Sequence, residues 1–483
     1  MNESIVKYTI GRLMQVLAML LLFPLLVGLI YRESLIDLRN FVIPIILAFV
    51  LGTFLTRTGE SNGHIFTKEA MFITASCWII FSLIGAIPLY LTASNYPSFV
   101  DAFFEMASGF TTCGASVASN VELLPNSIIF WRSFSQGGMG ILVFTLAIMP
   151  KANKESSSLM QAEVPGPTFG KITPKLSHTA RVLYLMYIGL TVIVIIFLLF
   201  GGMNLFDAII HAMGTAGTGG FSNKGASIGY YNSRYIEIVL SIAMLAFGVN
   251  FNVYYFSLIR SARQAFKSEE LYWYLGIVVT TALLIFFNIR SMYDSSFYTG
   301  VTSLFTVSSI ITTTGYVSLD YGIWPLFSRH ILIFLMFVGG CAGSTAGGIK
   351  VSRFIVLFKS ALNQIRKALN PLRVSVNKMD GKRVDKEVEE SINRYILVYI
   401  FLFIIFMLVV TLETNNFESA FSAVATTFNN VGPGLIDFGP VTSFEAMSKL
   451  SKLTLTFAML FGRLELYPMI LLFSAGTYRN IRK

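Results

Sequence analysis

A short glycine-bearing stretch occurs four times in this chain, each time between long apolar runs. No other feature restricts the possible folds so tightly. The copies are Thr112-Cys113-Gly114-Ala115, Thr218-Gly219-Gly220-Phe221, Thr313-Thr314-Gly315-Tyr316 and Asn430-Val431-Gly432-Pro433. Aligned on the third residue, they also match upstream. Thirteen positions earlier lie Asp101, Asp207, Thr302 and Ser419, all residue types that cap helix N-termini. Ala102-Phe103, Ala208-Ile209, Ser303-Leu304 and Ala420-Phe421 follow them. Each unit therefore predicts a cap, an apolar helix of about three turns and an extended strip. A short helix running into such a strip lets backbone carbonyls replace the water shell of a cation. The helix C-terminus, the negative end of its dipole, then faces the ion. One Thr-x-Gly carries no weight, but four at matched offsets in the same topological position do. Glycine is demanded because neighbouring carbonyls must share a direction, which asks for backbone angles a Cβ resists.

The flanking runs belong in a membrane. Of 483 residues, 54% are hydrophobic and 13% charged, whereas soluble domains carry about 25% charged residues. Spans are read near 13–31, 41–56, 69–91, 128–149, 182–201, 235–259, 271–289, 329–358, 394–412 and 450–476. The first is too long for a signal-peptide core and lacks an Ala-x-Ala cleavage site, so it reads as an uncleaved span. The expected fold is an all-α membrane protein. Two extra N-terminal helices (1–64) precede four pseudo-repeats of helix, pore helix and helix around one pore. The repeats are assigned to 65–178, 179–267, 268–378 and 379–483, the third with an intramembrane loop. Irregular backbone at that depth is tolerable only beside protein or a water-filled path.

Basic residues orient the chain. Segments assigned inside hold Lys151, Lys154, Lys171, Lys175 and Arg181, then Arg260, Arg263 and Lys267, and residues 359–394 hold nine Lys or Arg. Segments 92–131 and 413–448 hold none. The strips thus open outward and both termini lie inside. The net charge of +10 is an inside bias rather than a nucleic-acid surface. Residues 151–181, with Pro165-Gly166-Pro167, read as a loop. Residues 359–394 read as a partly helical connector or a docking surface for a cytoplasmic partner.

The second helix of each repeat carries outer cations, Arg132, Arg234, Arg329, and Lys449 with Lys452, for which interfacial snorkelling suffices. Deeper glycines at Gly137-Gly138-Met139-Gly140 and Gly248-Val249-Asn250 fit close helix packing. The run Gly339-Gly340-Cys341-Ala342-Gly343-Ser344-Thr345-Ala346-Gly347-Gly348 cannot stay helical and predicts a break below the third strip. Arg463 interrupts an apolar run near Glu465. A charge at that depth needs a partner or an aqueous cavity. It either pairs with Glu465 or meets the glycine-rich break as a cation barrier.

Other chemistry is excluded. Cys77, Cys113 and Cys341 lack metal or redox spacing. Lys350 follows Ile349 and an apolar helix, not the strand and Gly-Lys-Ser/Thr of a phosphate loop. Glu105 and His211 have no nucleophile or metal cluster beside them and read as structural. No enzyme, and no cofactor in this chain, is expected.

At these residues the chain resembles the Trk/Ktr/HKT superfamily of potassium transporters, most closely its bacterial Trk branch. The likeness rests on the four strips, on Gly339–Lys350 and on Gly462-Arg463-Leu464-Glu465, and the two leading spans favour Trk over Ktr. It implies a filter of Thr112, Cys113, Gly114, Thr218, Gly219, Gly220, Thr313, Thr314, Gly315, Asn430, Val431 and Gly432. Potassium would sit at Thr112, Cys113, Thr218, Gly219, Thr313, Thr314, Asn430 and Val431. It implies a gate of Gly339, Gly340, Gly343, Ser344, Thr345, Gly347, Gly348 and Arg463. K+ is the implied substrate, with Rb+ as a surrogate. A homodimer in the bacterial inner membrane, controlled by a cytoplasmic ring of nucleotide-binding subunits, is the implied assembly. Gly114, where sodium-preferring relatives carry serine, points to potassium. Only Gly315-Tyr316 approaches the full Thr-Val-Gly-Tyr-Gly filter, so weaker discrimination among monovalent cations is expected.

Competing classes fit less well. A sodium- or proton-coupled symporter is expected to show inverted repeats and midmembrane acids, whereas these repeats run in parallel. A voltage-gated channel needs an arginine-rich sensor helix, which is missing from the sequence. A less selective monovalent cation channel stays open as an alternative.

Overall fold

In a computed structural model of the chain, residues 1–60, 65–92, 95–137, 176–259, 268–372 and 376–479 are described. The 151–181 loop, Gly138-Met139-Gly140 and the basic stretch Arg260–Lys267 lie outside them or have undescribed side chains. Helices dominate; the described strands form one hairpin, Lys378–Met379 with Lys382–Arg383. Among the described residues, six helices are long and apolar enough to cross a membrane. They expose large apolar side chains such as Ile46, Phe49, Val192 and Phe401, as surfaces that face lipid or another protein do.

The two leading segments form a close pair. Glu3–Leu20 and Leu35–Thr58 cross so tightly that a Cβ at Gly11 would lie 2.7 Å from the Gly52 carbonyl, and one at Gly52 would lie 2.8 Å from that of Gly11. Small residues at such crossings let backbones approach where apolar burial drives nothing. This pair packs against the first span of repeat one, Thr67–Thr92.

The four pore helices are Phe99–Phe110, Leu205–Gly217, Ser296–Ile311 and Phe417–Phe428. Their caps differ from the expected residues. Ser98, Asn204, Ser295 and Asn416 accept the first free backbone N–H groups. Asp101, Asp207 and Ser419 sit three residues inside. Asp101 completes a capping box with Ser98, the reciprocal arrangement that favours an acid at this position. Thr302 is well inside its helix, because the third pore helix starts about one turn earlier.

Each pore helix packs against the first span of its own repeat and the second helix of the preceding one. Leu205–Gly217 contacts Asn126–Ser135, Ser296–Ile311 contacts Arg234–Phe247, and Phe417–Phe428 contacts Leu326–Val338. Phe99–Phe110 contacts Lys449–Arg463, so repeat four closes on repeat one.

The second helices are broken more often than their sequences suggest. The expected break separates Leu326–Val338 from Val351–Leu369. A second separates Arg234–Phe247 from Phe251–Ile259, so Gly248-Val249-Asn250 is not simple packing. A third separates Lys449–Arg463 from Tyr467–Phe473, with Glu465 and Leu466 at φ 55° and 70°. Non-glycine residues hold such angles only where surrounding contacts enforce them.

Three of the outer cations are more engaged than snorkelling requires. Arg132 is 2% exposed and pairs with Glu105 at 2.5 Å. Lys452 is 5% exposed and reaches Asp101 at 2.6 Å, linking repeat four to pore helix one. Arg234 pairs with Glu237 and lies 3.9 Å over the ring of Tyr298 in repeat three. Arg132 and Lys452 are desolvated, so each needs its partner.

Candidate functional site: four strips and the loop beneath them

Each strip leaves its pore helix by the same turn. The backbone N–H of Cys113 donates to Ser108 O at 2.8 Å, Gly219 to Gly214 O at 2.7 Å, Thr314 to Ser309 O at 2.9 Å and Val431 to Thr426 O at 2.8 Å. The preceding N–H closes a three-residue turn in every case. This double closure is the Schellman ending of a helix, which requires a left-handed residue. Thr112, Thr218, Thr313 and Asn430 supply it, with φ 56°, 55°, 54° and 57°. Two residues later Gly114, Gly220, Gly315 and Gly432 return to positive φ, at 84°, 72°, 78° and 99°. Sequence reasoning found the glycine requirement but not the left-handed Thr and Asn before it.

The strips converge in cyclic order. A Cβ at Gly114 would overlap the Gly219 carbonyl, one at Gly220 that of Thr314, and one at Gly315 that of Val431. A Cβ at Gly432 would lie 2.7 Å from the Cys113 carbonyl. Strip one meets two, two meets three, three meets four, and four meets one. The four strips are therefore gathered at one place, and the oxygens they present to one another come from equivalent residues, each just before its strip's glycine. Each glycine is doubly required, by its φ and by its neighbour's oxygen.

Outer segments are braced by buried polar groups. Glu105 accepts the Val117 N–H at 2.8 Å, the Ser116 hydroxyl at 2.9 Å and Arg132 Nε at 2.8 Å. The Arg132 guanidinium lies 4.3 Å from the ring centroid of Phe221 in strip two. His211 is held between Asp207 O and the Ser222 hydroxyl. Tyr316 of strip three donates to His211 O at 2.9 Å. Glu105 and His211 are thus tied into the scaffold.

The glycine-rich break forms a loop against the N-terminal ends of the strips. Its Gly347 N–H donates to the Thr313 hydroxyl at 2.6 Å, and Gly348 N–H to Asn429 O at 3.2 Å. The Thr345 carbonyl accepts the Thr218 hydroxyl at 2.9 Å and Arg463 Nη1 at 3.0 Å. The loop also docks into the break of repeat two. Cys341 N–H donates to Gly248 O at 3.0 Å, and Phe251 N–H to Gly343 O at 3.2 Å. Positive φ at Gly339, Gly343 and Gly348 shapes it. Of the sequence's two alternatives for Arg463, contact with the loop is the one realised. Glu465 instead makes a bidentate pair with Arg353, at 3.0 and 2.7 Å.

Three participants escaped sequence reasoning. Glu270 accepts the N–H groups of Ala342 and Ser352 at 2.8 and 3.1 Å, clasping both ends of the loop. Arg353 anchors Glu465 and lies 4.0 Å from the ring centroid of Tyr395. Gln136 reaches strip two. Each is a polar residue at the edge of an apolar run, a signal present in the sequence but without direction. Lys350, dismissed as a phosphate ligand, is 1% exposed and its ammonium binds Ala346 O within the loop.

Comparisons with known proteins agree with this arrangement. The profile of a family described as "TrkH: Cation transport protein" matches residues 37–292 and 291–479. The chain is 35% identical over 492 residues to the Trk system potassium uptake protein TrkH of Escherichia coli K12, covering 99% of this chain and 100% of that one. Similarity to the Trk system potassium uptake protein TrkG of the same organism is 33% over 495 residues, with 99% and 100% covered. The crystal structure of the potassium transporter TrkH from Vibrio parahaemolyticus superposes with a TM-score of 0.89 at 29% identity, covering 99% of this chain and 100% of that one.

Proposed function

Because this chain belongs to the TrkH family of cation transport proteins, we propose that it is the multi-pass, ion-conducting subunit of a potassium-uptake system. The observation that carries this reading is the closed cycle of filter glycines, each against the carbonyl of the next strip. Thr112–Gly114, Thr218–Gly220, Thr313–Gly315 and Asn430–Gly432 are read as the filter, their main-chain oxygens standing in for water around K+. Four pore helices end at the strips and add dipole charge of the attractive sign. An inside-negative membrane potential drives uptake, worth about 2.3 kcal/mol per charge for each 100 mV.

The loop Gly339–Gly348 is the gate and Arg463 its latch. Their backbone and guanidinium contacts lie at the inner ends of the strips, where displacement of the loop opens the path. Both termini lie in the cytoplasm of a bacterial inner membrane, in keeping with Lys359, Lys367 and Lys378 on the segment leaving the gate. A homodimer and a cytoplasmic nucleotide-binding ring complete the assembly. The relatives' printed name, a Trk system, supports further subunits.

The test is uptake of radioactive rubidium into proteoliposomes under an imposed negative potential, with K+, Na+ and Cs+ as competitors. Uptake blocked by K+ before Na+, and insensitive to a protonophore once the potential is clamped, is expected. Equal competition by all three cations would reject the filter assignment, and collapse with the protonophore would show proton coupling.

A further inference from the structure

One side chain outside the strips reaches into the second. Gln136 follows the helix Asn126–Ser135 and is completely buried. Its Nε2 donates to the Gly219 carbonyl at 2.5 Å, and its Oε1 accepts the Phe221 N–H at 3.2 Å. A carbonyl at one end and an N–H at the other leave the amide a single satisfied orientation. Arg132, four residues earlier on the same helix face, lies over the Phe221 ring. The end of this helix is therefore the surface on which strip two is moulded.

The composition of strip two follows from that contact. Gly219 has no positive φ, so its own backbone does not require glycine. A Cβ there would instead lie 2.6–2.8 Å from Cδ, Cβ and Cγ of Gln136. A Cβ at Gly217 would overlap the Gln136 carbonyl. Of the three glycines, only Gly220 serves the conformation shared by all four strips.

Gly219 also supplies one of the four oxygens in the cycle. Among the described residues, no side chain donates to the corresponding carbonyls of Cys113, Thr314 or Val431. A carbonyl that already accepts an amide N–H has less lone-pair density for an ion and less freedom to follow one. We propose that Gln136 is a positioning residue of the filter. It fixes the Gly219 carbonyl and so sets how strictly the pore separates K+ from Na+. The proposal rests on reading the strips as ion-coordinating.

The experiment compares rubidium uptake and its inhibition by K+ and Na+ in proteoliposomes of the full chain. In Gln136→Leu the preference for K+ over Na+ is expected to fall roughly tenfold, equivalent to about 1.4 kcal/mol. Melting temperature and monodispersity in detergent report folding separately. An unchanged preference in folded Gln136→Leu overturns the proposal. Should that variant not fold, Gly219→Ala decides. It is expected to lose preference, and Gln136→Gly/Gly219→Ala, which relieves the overlap but also lacks the amide, not to regain it. A silent Gly219→Ala, or a pair that regains the native preference without the amide, also overturns the proposal. Gly220→Ala separates the two levels. Native flux and preference there would defeat the filter reading itself. A non-conducting Gly220→Ala beside a native-like Gln136→Leu would defeat only the role of Gln136.

Discussion

The Thr345 carbonyl receives two donors, and their unequal strengths make the latch measurable. Arg463 Nη1 gives a charge-assisted bond at 3.0 Å, in the range of about 1.5–3 kcal/mol net. The Thr218 hydroxyl has one hydrogen, shared between Gly217 O at 2.6 Å and Thr345 O at 2.9 Å, so its share is about 0.5 kcal/mol. In Arg463→Ala the carbonyl keeps Thr218, and no buried acceptor is orphaned. If the bond exists only in the closed loop, the closed state loses about 1.5–3 kcal/mol, and leak rises roughly 10- to 150-fold. Thr218→Val alone raises it only about twofold. The double variant leaves Thr345 O without either donor and adds about 1–3 kcal/mol of desolvation penalty. Its effect therefore exceeds the sum of the singles. The assay is rubidium efflux from proteoliposomes without any regulatory partner, at fixed potential. Unchanged efflux in Arg463→Ala, or strict additivity in the pair, refutes the latch.

Breaking the buried Glu105–Arg132 pair with Glu105→Gln leaves a guanidinium 2% exposed and unneutralised. A loss of about 3–5 kcal/mol should appear as a large drop in melting temperature in detergent. Glu105→Gln/Arg132→Met should recover most of it, because Gln still accepts the Val117 N–H. Arg353 and Glu465 should show a coupling energy of about 0.5–3 kcal/mol in a double-mutant cycle read by melting temperature, and a value indistinguishable from zero contradicts their pairing. At the outer end of the fourth repeat, burial acts to raise the Glu413 carboxyl, but hydrogen bonds from Ser451 and Ser448 outweigh it and hold it below the usual range. A lowered folded value means this contribution is present above the unfolded value of about 4.3 and disappears as pH falls through the lower folded one. Glu413→Gln should therefore lower the melting temperature equally at pH 7 and pH 5, and a difference between native and variant that vanishes by pH 5 contradicts the assignment.

Periodicity and glycine placement carried much of the architecture, because each strip must satisfy the same backbone geometry locally. Thr112, Thr218, Thr313 and Asn430 share one turn with one hydrogen-bond pattern, and a local pattern leaves a local trace in sequence. The break at Gly339–Gly348 was legible for the same reason. The breaks at Gly248–Asn250 and Leu464–Leu466 were not, since one Gly-Val-Asn also suits close helix packing and Leu464-Glu465-Leu466 are good helix formers. They open because the third repeat's loop needs Gly248 O and because Arg353 holds Glu465. The contacts of Arg132, Lys452 and Gln136 cross between repeats, and nothing in the spacing of residues 132 and 221, or 101 and 452, brings them together. The caps expected at Asp101 and Asp207 were misplaced by about one turn because Asp suits both the cap and the third helical position.

The join between Lys452 and Asp101 spans 351 positions of sequence. The flank of Phe99–Phe110 that Lys449–Arg463 covers can therefore be packed only once the fourth repeat is in place. Contacts between such distant residues form slowly, because the entropy of closing the intervening chain must be met first. Closure of the ring of repeats is thus expected to be a late, single step of folding rather than a strip-by-strip one.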